Sequence, residues 1–321
     1  PSGIAAQLLT PALNAPVGSL QDYSFAPMFT DLDNDADPDL VIAADFQTSQ
    51  VFSNNGDGTF DLTTDRAVFQ DDSGMGSAVG DYDNDGDMDW FVTAIHDDPS
   101  PTAPHRGNFL YRNNGDGTFT NVTSEAGVAD GGWGWAACME DFDNDGDLDI
   151  FHVNGFDANF VKAKYINDQV RYFESNGDGT FTERAGDLGL MSTGQGRGLA
   201  CFDADRDGDI DMFISNNNHQ SDADNFYLNN LDSDNRYLAI GLNGCGSNSA
   251  CIGSRIELTS GDTKQLREIR GGNNYVTQNP AEAHFGVANA EFVDISVRWP
   301  DGSVSDYPGV ATNQYLSLIH I

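Results

Sequence analysis

The sequence predicts an all-β protein, most of it a β-propeller of repeated four-stranded units, followed by a C-terminal β region. An acidic ten-residue motif begins at residues 31, 81, 141 and 203, and a hairpin motif occurs once in each of the three intervals. The runs between motifs are short and rich in β-branched and aromatic residues, and helical periodicity is almost absent. Four strands every 50 to 60 residues is the spacing of propeller blades.

The acidic motif reads DLDNDADPDL, DYDNDGDMDW, DFDNDGDLDI and DADRDGDIDM in its four copies. Two unit charges held 4 Å apart near a protein surface repel by about 4 kcal/mol, and no Lys or Arg lies beside the second copy. A single acidic run is usually a solvated turn. Four equal copies indicate bound cations instead, and we expect those cations, not side chains, to balance the charge.

Each copy has Asp at positions 1, 3, 5, 7 and 9, and oxygen ligands of this number favour calcium. The opening matches an EF-hand loop, but position 12 is not Glu (Ile42, Val92, His152, Ile214), so position 9 must supply the last carboxylate and position 7 its main-chain carbonyl. Ala36 replaces the position 6 glycine, so the first loop should bind most weakly. The predicted ligands of about four structural calcium ions are Asp31, Asp33, Asp35, Asp37, Asp39, Asp81, Asp83, Asp85, Asp87, Asp89, Asp141, Asp143, Asp145, Asp147, Asp149, Asp203, Asp205, Asp207, Asp209 and Asp211.

The hairpin motif reads SNNGDGTF (53–60), RNNGDGTF (112–119) and ESNGDGTF (174–181). Asn-Gly and Asp-Gly between β-forming residues are strong signals of a hairpin turn. Each unit is therefore predicted to run strand, acidic loop, strand, variable loop, strand, NGDG hairpin, strand.

These units resemble FG-GAP/VCBS repeats, the calcium-binding blades that also occur in integrin α-subunits. The later segments NRYLAIGLNG, IGSRIEL, LREIRGGNNYVTQ and DISVRWPDG resemble the ASPIC/UnbV domain. The combination is similar to the cartilage acidic protein family and its bacterial relatives. The resemblance implies an N-terminal segment (1–24), four repeats (25–235) and an ASPIC/UnbV domain (236–321). Whether that domain supplies further blades or packs beside the ring stays open.

Composition restricts the partners and the location. The formal charge is −36, from 51 acidic and 15 basic residues, which excludes nucleic acid and anionic membrane as electrostatically attracted partners. No apolar run is long enough to span a membrane. The chain begins at Pro1, which we interpret as a mature N-terminus left after removal of a signal peptide. We expect a secreted or cell-surface protein, because extracellular calcium modules bind at about 10⁻⁴ to 10⁻³ M.

The four cysteines fall into two pairs. Cys245 and Cys251 flank a short GSNSA loop and are predicted to close it as a disulfide. Cys138 and Cys201 precede the third and fourth acidic loops, where they are either buried thiols or a second bridge.

Strand alternation places the acidic loops and hairpins on one face and the variable loops on the other, where binding usually occurs. Six residues before each first aspartate lie Phe25, Met75, Trp135 and Arg197, predicted to ring the channel mouth. Trp135 and Arg197 are candidates to stack on a sugar or hold a carboxylate; the alternative is that they plug the channel. His96 and His219, with Asp97, Asp98 and Asp222, are the other candidates on this face.

Three functional hypotheses follow. The first is a calcium-stabilised binding or adhesion module, or a subunit of a surface assembly, with an extracellular protein or glycan as partner. The second is a carbohydrate-active lyase or hydrolase that uses the histidines and aspartates of the variable face. The third is self-association through the apolar C-terminal run 316–321, a candidate edge strand.

Overall fold

The computed structural model describes residues 23–97, 106–157, 163–217, 223–230 and 233–320. Helix is confined there to α1 (Thr123–Ala126) and one 3-10 turn (Ala163–Tyr165). No helix in these ranges has the length and apolarity needed to cross a membrane. The prediction of an all-β protein is confirmed.

The repeats form four antiparallel sheets, each with its strands in chain order. The first holds β1 (Ser24–Thr30), β2 (Asp39–Ala44), β3 (Gln50–Asn54) and β4 (Phe60–Leu62). The second holds β5 (Ser77–Gly80), β6 (Asp89–Val92), β7 (Phe109–Asn113) and β8 (Phe119–Asn121). The third holds β9 (Gly134–Glu140), β10 (Asp149–Asn154), β11 (Arg171–Ser175) and β12 (Phe181–Glu183).

The fourth sheet differs from the predicted unit. It has three strands within the described residues, β13 (Gly196–Phe202), β14 (Asp211–Asn216) and β15 (Asn225–Tyr227). The physical reason lies in the sequence after β15, which contains no NGDG turn and passes directly into the C-terminal region.

Neighbouring sheets pack face to face through apolar side chains. The first strands β1, β5, β9 and β13 lie side by side in that order. Trp90 and Tyr111 fill the layer between the first two sheets, Phe91 and Phe173 the next layer, and Phe151 contributes to the last. Residues of β6 and β10 are buried on both sides because each of these sheets is covered by two neighbours. Each fully buried aromatic contributes about 1.5–3 kcal/mol.

The C-terminal region is a two-sheet sandwich with its own core, around Phe285 and Trp299. One sheet has the order β19–β16–β22 and the other β18–β17–β20–β21. It therefore does not repeat the four-stranded meander of the preceding units. The strands are β16 (Tyr237–Asn243), β17 (Arg255–Ser260), β18 (Thr263–Glu268), β19 (Glu282–Gly286), β20 (Phe292–Arg298), β21 (Val304–Ala311) and β22 (Gln314–Ile319).

The candidate edge strand lies where the sequence places it. β22 pairs in parallel with β16 on one side and has no strand partner on its other side within the described ranges. Leu318 is buried and Ile319 is 59% exposed. Self-association through this edge stays a prediction.

The C-terminal region lies over the acidic-loop end of the repeats, and one of its loops, residues 271–280, runs along β13. We call it the inserted loop. Asn274 Nδ2 donates to the Leu199 carbonyl at 2.6 Å, and the Cys201 amide donates to Asn279 Oδ1 at 3.0 Å. Tyr275 of the inserted loop reaches the opposite end of the sheets, where it contacts the β1 side chain Phe25. The inserted loop thus contacts both β13 and β1.

Candidate metal centres and the opposite face

The acidic loops share one backbone conformation that turns their carboxylates inward. Position 4 is left-handed in all four loops, with φ between 57° and 66°. Position 6 is also left-handed, at 95° to 106° in the three loops with glycine. Ala36 adopts the same conformation at φ 82°, which costs about 1–2 kcal/mol for a residue with a Cβ. The first loop therefore folds like the others despite its unfavourable residue.

Backbone amides hold the position 1 and position 9 carboxylates in place. In the second loop Asp81 Oδ2 accepts from the Gly86 amide at 3.2 Å. Asp89 Oδ2 accepts from the Tyr82 amide at 3.2 Å and its Oδ1 from the Asn113 amide at 2.8 Å. The other three loops repeat these bonds. Position 9 thus connects each loop to the end of the third strand of its sheet.

These bonds bring three carboxylates of each loop together, with one oxygen from each lying within 4.8 Å of the others. Position 5 belongs to the set in loops two and three, and position 9 in loops one and four. Position 7 belongs to none. The four sets are Asp31, Asp33 and Asp39; Asp81, Asp83 and Asp85; Asp141, Asp143 and Asp145; and Asp203, Asp205 and Asp211.

Burial makes the negative charge of these sets costly. It raises the pKa of Asp81 to about 7 and that of Asp141 to about 8, and neighbouring loop carboxylates add to the increase. Burial also raises the pKa values of Asp89 and Asp149 well above the usual range. Burial therefore disfavours the charged form of these carboxylates, which a bound cation would stabilise.

The donor set fits a divalent cation. Asp81 Oδ1 and Asp83 Oδ1 are buried and have no hydrogen-bond partner, so lone pairs of two neighbouring carboxylates are left without a donor. Only hard oxygen donors are present in the four sets, which suits calcium. Bound calcium would supply the positive charge that these carboxylates lack.

The expectation that no side chain balances the loops is wrong for the first loop. Arg298 Nη2 donates to Asp31 Oδ2, and the Arg255 Nε atom lies 3.7 Å from the same oxygen. Arg267, which is fully buried, lowers the pKa of Asp81 and of Asp141 against the effect of burial. These arginines come from the C-terminal region, so their proximity is invisible in the local sequence.

Position 4 of each loop connects it to the next structural unit. Asn34 Nδ2 donates to Asp87 Oδ1 at 2.6 Å, and Asn84 Nδ2 donates to Asp147 Oδ1 at 2.9 Å. Asn144 makes the same bond to Asp209 at 3.1 Å. In the fourth loop Arg206 stands at position 4 and forms two hydrogen bonds with Glu282 of the C-terminal region. A chain of side-chain contacts therefore links all four loops and the C-terminal sandwich.

The position 7 carboxylate also explains the NGDG hairpin. A Cβ added to Gly56 would lie 2.6 Å from an Asp37 oxygen, and one on Gly115 would lie 2.5 Å from an Asp87 oxygen. Both glycines also have positive φ. The positive φ favours glycine at these hairpin positions, and any larger residue would also displace the position 7 carboxylate beside it. The predicted use of the position 7 carbonyl as a metal ligand stays a prediction.

The opposite end of the sheets, where the sequence predicted a channel mouth, carries an aromatic cluster. The predicted residues Phe25 and Trp135 lie there with ring centroids 6.1 Å apart, and the Arg197 guanidinium stacks 3.8 Å from the Trp135 ring centroid. Met75 Sδ accepts from Trp133 Nε1 at 3.2 Å. Sequence reasoning did not name Phe156 and Tyr275, which reach this end from other loops, nor Trp133, which lies two residues before Trp135. We call the set the mouth cluster: Phe25, Met75, Trp133, Trp135, Phe156, Arg197 and Tyr275.

Of the two candidate histidines, the structure describes only His96. His96 Nδ1 lies 2.8 Å from Asp130 Oδ1, and Lys164 pairs with Asp97 at 3.3 Å. His219 lies outside the described residues, as do Asp98 and Asp222, so a joint site stays a prediction. His152 is fully buried in β10, and burial lowers its pKa to about 3, as expected for a packed neutral imidazole.

Both cysteine pairs are disulfides. Cys245–Cys251 closes its short loop, which confirms the predicted bridge. Cys138–Cys201 joins β9 to β13 and settles the alternative that the sequence left open. The second bridge crosses from the third sheet to the fourth, so it fixes two neighbouring units covalently.

Comparison with known proteins agrees with this architecture. The family model described as FG-GAP-like repeat matches residues 31–92 and 102–152, and the model described as ASPIC and UnbV matches residues 244–321. Cartilage acidic protein 1 of Homo sapiens is 26% identical over 274 residues, which cover 84% of this chain and 40% of that protein. The proteins of the same name from Mus musculus and Xenopus tropicalis are also 26% identical, over 84% of this chain and 41% of theirs. The chain spans about two fifths of the length of these relatives.

Ala36→Gly tests the strain in the first loop. Glycine relieves the left-handed conformation, so the free energy of unfolding in calcium should rise by up to about 1 kcal/mol. Gly86→Ala is the matched control, because it introduces the same strain into the second loop and should lower stability. Urea denaturation measures both, and equal stability of Ala36→Gly and wild type would contradict the assignment.

The dependence of stability on pH should change sign with calcium. Without calcium the folded protein binds protons at Asp81 and Asp141 at a pH where the unfolded chain, with carboxyl pKa values near 4, does not. Stability should then rise as pH falls from about 8 to about 5. With saturating calcium, protons compete with the ion and stability should fall over the same interval.

Thermal melts of resin-decalcified and calcium-saturated protein measure both slopes. Asp116→Asn changes an exposed hairpin carboxylate outside the loops and should leave both slopes as they are. If stability changed with pH in the same direction with and without calcium, that result would count against metal binding by the loops.

Asn84→Gly tests the contact between loops. Glycine keeps the left-handed backbone and removes the amide that bonds Asp147, so stability in calcium should fall by about 0.5–1 kcal/mol. Asn55→Ala is the control, because its exposed amide bonds only its own hairpin. Urea denaturation measures the free energy of unfolding. If both variants had the same value as wild type, the contact would not be formed in solution.

Proposed function

Because the chain belongs to the FG-GAP-like repeat proteins that carry an ASPIC and UnbV domain, we propose that it is an extracellular binding module stabilised by calcium. The repeats are proposed to form a β-propeller in which the inserted loop of the C-terminal region bridges β13 and β1. Tyr275 supports this, with its ring centroid 5.8 Å from that of Phe25 and 5.4 Å from that of Trp135.

The four acidic loops are proposed to hold about four calcium ions, through positions 1, 3, 5 and 9. The role of calcium is structural: it offsets the repulsion of converging carboxylates and fixes the turn between the first two strands of each sheet. The convergence of three carboxylates in every loop supports this assignment. The first loop is proposed to bind most weakly, since two arginines already face Asp31.

An extracellular location is proposed from the covalent chemistry and the metal. Two disulfides are typical of proteins in an oxidising compartment, and outside the cell millimolar calcium is also available. The relatives named cartilage acidic protein 1 are similar over most of this chain, and this chain shares the acidic composition that their name states.

The binding role is proposed because one end of the repeats is covered by the C-terminal region and the other end is partly exposed. The C-terminal region covers the acidic-loop end, through contacts such as Gly286 amide to Asp141 Oδ2 at 3.0 Å. At the other end, Trp133, Phe156 and Arg197 are each partly exposed beside variable loops. Rigid strands that present partly exposed aromatic rings and a cation are typical of recognition sites. The proposed partner is an extracellular glycan or protein that binds this end.

The proposal is tested by passing the protein over immobilised glycans and immobilised extracellular proteins and measuring how much of it is retained. Release of cleaved glycan is measured in the same samples. We expect retention in calcium, little loss with Trp133→Phe, and a clear loss with Trp133→Ala, since the exposed part of the aromatic ring is proposed to make the contact. Asp116→Asn, on the acidic-loop face, should bind like wild type. Melting in calcium must confirm that each variant is folded.

Two results would contradict this function. Equal retention by Trp133→Ala and wild type would place the binding surface elsewhere. Release of cleaved product that disappears in His96→Ala or His219→Ala would show that the protein is a carbohydrate-active enzyme, the second hypothesis drawn from the sequence.

A further inference from the structure

The C-terminal region donates hydrogen bonds to the same carboxylate oxygen in three of the acidic loops. This oxygen is Oδ2 of the position 1 aspartate, which also accepts from the position 6 amide of its own loop. The pairs are Arg298 with Asp31 in the first loop, the Gly286 amide with Asp141 in the third and the Tyr315 hydroxyl with Asp203 in the fourth. The donors lie on three different strands, β20, β19 and β22. Their convergence on one oxygen indicates a role in positioning that carboxylate.

The second oxygen of each position 1 carboxylate is turned toward its own loop. Oδ1 accepts a loop amide in each case, from Asp35 to Asp31 at 3.1 Å, from Asp145 to Asp141 at 3.2 Å and from Arg206 to Asp203 at 2.6 Å. A carboxylate oxygen has two lone pairs, so Oδ1 keeps one of them for a cation. The donors of the C-terminal region therefore fix the orientation of the carboxylate and leave a metal-binding lone pair available.

The third loop receives its donor from the backbone, at very close range. A Cβ on Gly286 would overlap Asp141 Oδ2 and the backbone of Asn144, so only glycine allows this approach. The Ala288 amide donates to the Asn144 carbonyl at 3.0 Å, and His284 Nε2 lies 2.7 Å from Asn144 Oδ1. These contacts hold the end of β19 on the loop, so the Gly286 amide is a fixed and neutral donor.

The fourth loop also receives a neutral donor. The Tyr315 ring is held by Arg206, whose guanidinium lies 4.1 Å from the ring centroid. The charge of Arg206 is paired with Glu282 at 2.9 Å. The Tyr315 hydroxyl is consequently fixed against Asp203 without bringing a charge of its own.

The first loop differs because its donor is a cation. Arg298 brings a positive charge to Asp31 Oδ2, and the Arg255 Nε atom lies 3.7 Å from the same oxygen. A neutral donor strengthens a metal site by orienting its ligand. A cation that shares the ligand also repels the metal, because like charges a few ångströms apart oppose each other strongly in a partly buried site. The charge effect should therefore exceed the orienting effect in this loop.

We propose that the C-terminal region sets the calcium affinity of individual loops: Gly286 and Tyr315 strengthen the third and fourth sites, and Arg298 weakens the first. This inference rests on the proposed binding of calcium by the loops and deepens it. The three residues are positioning residues, since each acts through an aspartate. Because such coupling is reciprocal, calcium in the third and fourth loops strengthens the docking of the C-terminal region in return.

Calorimetric titration of the decalcified protein with calcium tests the neutral donor. Tyr315→Phe removes one hydroxyl, so one site should lose about tenfold in affinity while the others keep theirs. Tyr307→Phe is the matched control, since Tyr307 packs against the core of the C-terminal region, and it should bind calcium like wild type. Asp205→Asn weakens the fourth loop itself, and in that background Tyr315→Phe should cause little further loss.

The same titration tests the charged donor, with an effect of opposite sign. Arg298→Gln should raise the affinity of the weakest site by about tenfold, because the amide removes the repelling charge. Arg106→Gln also removes one positive charge from the chain, but Arg106 is exposed and bonds Gln70, so the weakest site should not change. If Arg298→Gln does not fold, the Tyr315 variants decide the question.

Thermal melting distinguishes positioning from a purely structural contact. A structural contact would lower the melting temperature of Tyr315→Phe equally with and without calcium, whereas positioning lowers it more with calcium. Unchanged calcium affinities in Tyr315→Phe, or a weakest site that is unchanged or weaker in folded Arg298→Gln, would overturn the inference and leave the proposed calcium binding intact. Absence of calcium binding by wild type would overturn both.

Discussion

Repulsion among converging carboxylates is the constraint on which this structure depends. Each acidic loop gathers three aspartate oxygens within 4.8 Å, at positions where burial raises the pKa values of Asp81 and Asp141 to about 7 and about 8. The fold brings these groups together through backbone amides and left-handed turns, none of which neutralises a full charge. Added positive charge would stabilise the loops, and we propose that bound cations provide it. In the first loop Arg255 and Arg298 supply part of it.

The loops also connect the sheets, through side chains that do not belong to the converging carboxylate sets. Position 9 fastens each loop to the third strand of its own sheet, and position 7 lies against the hairpin glycine. Position 4 reaches the next loop, or the C-terminal sandwich in the case of Arg206. A change at one loop is therefore expected to affect its neighbour. The disulfide between Cys138 and Cys201 reinforces the same boundary between the third and fourth sheets.

Much of this architecture follows from sequence, because the relevant signals are local. Strand order, loop positions and hairpin turns depend on residues a few positions apart, and the count back to Phe25, Trp135 and Arg197 depends on strand length alone. What the sequence could not predict depends on distant contacts. Tyr275 arrives at the mouth through the inserted loop, and Arg298 meets Asp31 across 267 positions of the chain. That the last sheet has three strands within the described residues was predictable in principle, since no NGDG motif follows β15.

The most direct test of the central claim is the calcium content of the folded protein, measured by equilibrium dialysis at millimolar calcium together with circular dichroism. The account predicts about four bound ions per chain, one of them weaker than the rest, and a β signal that melts at a clearly lower temperature when they are removed. Protein that retains its native spectrum and binds no calcium under these conditions would contradict it.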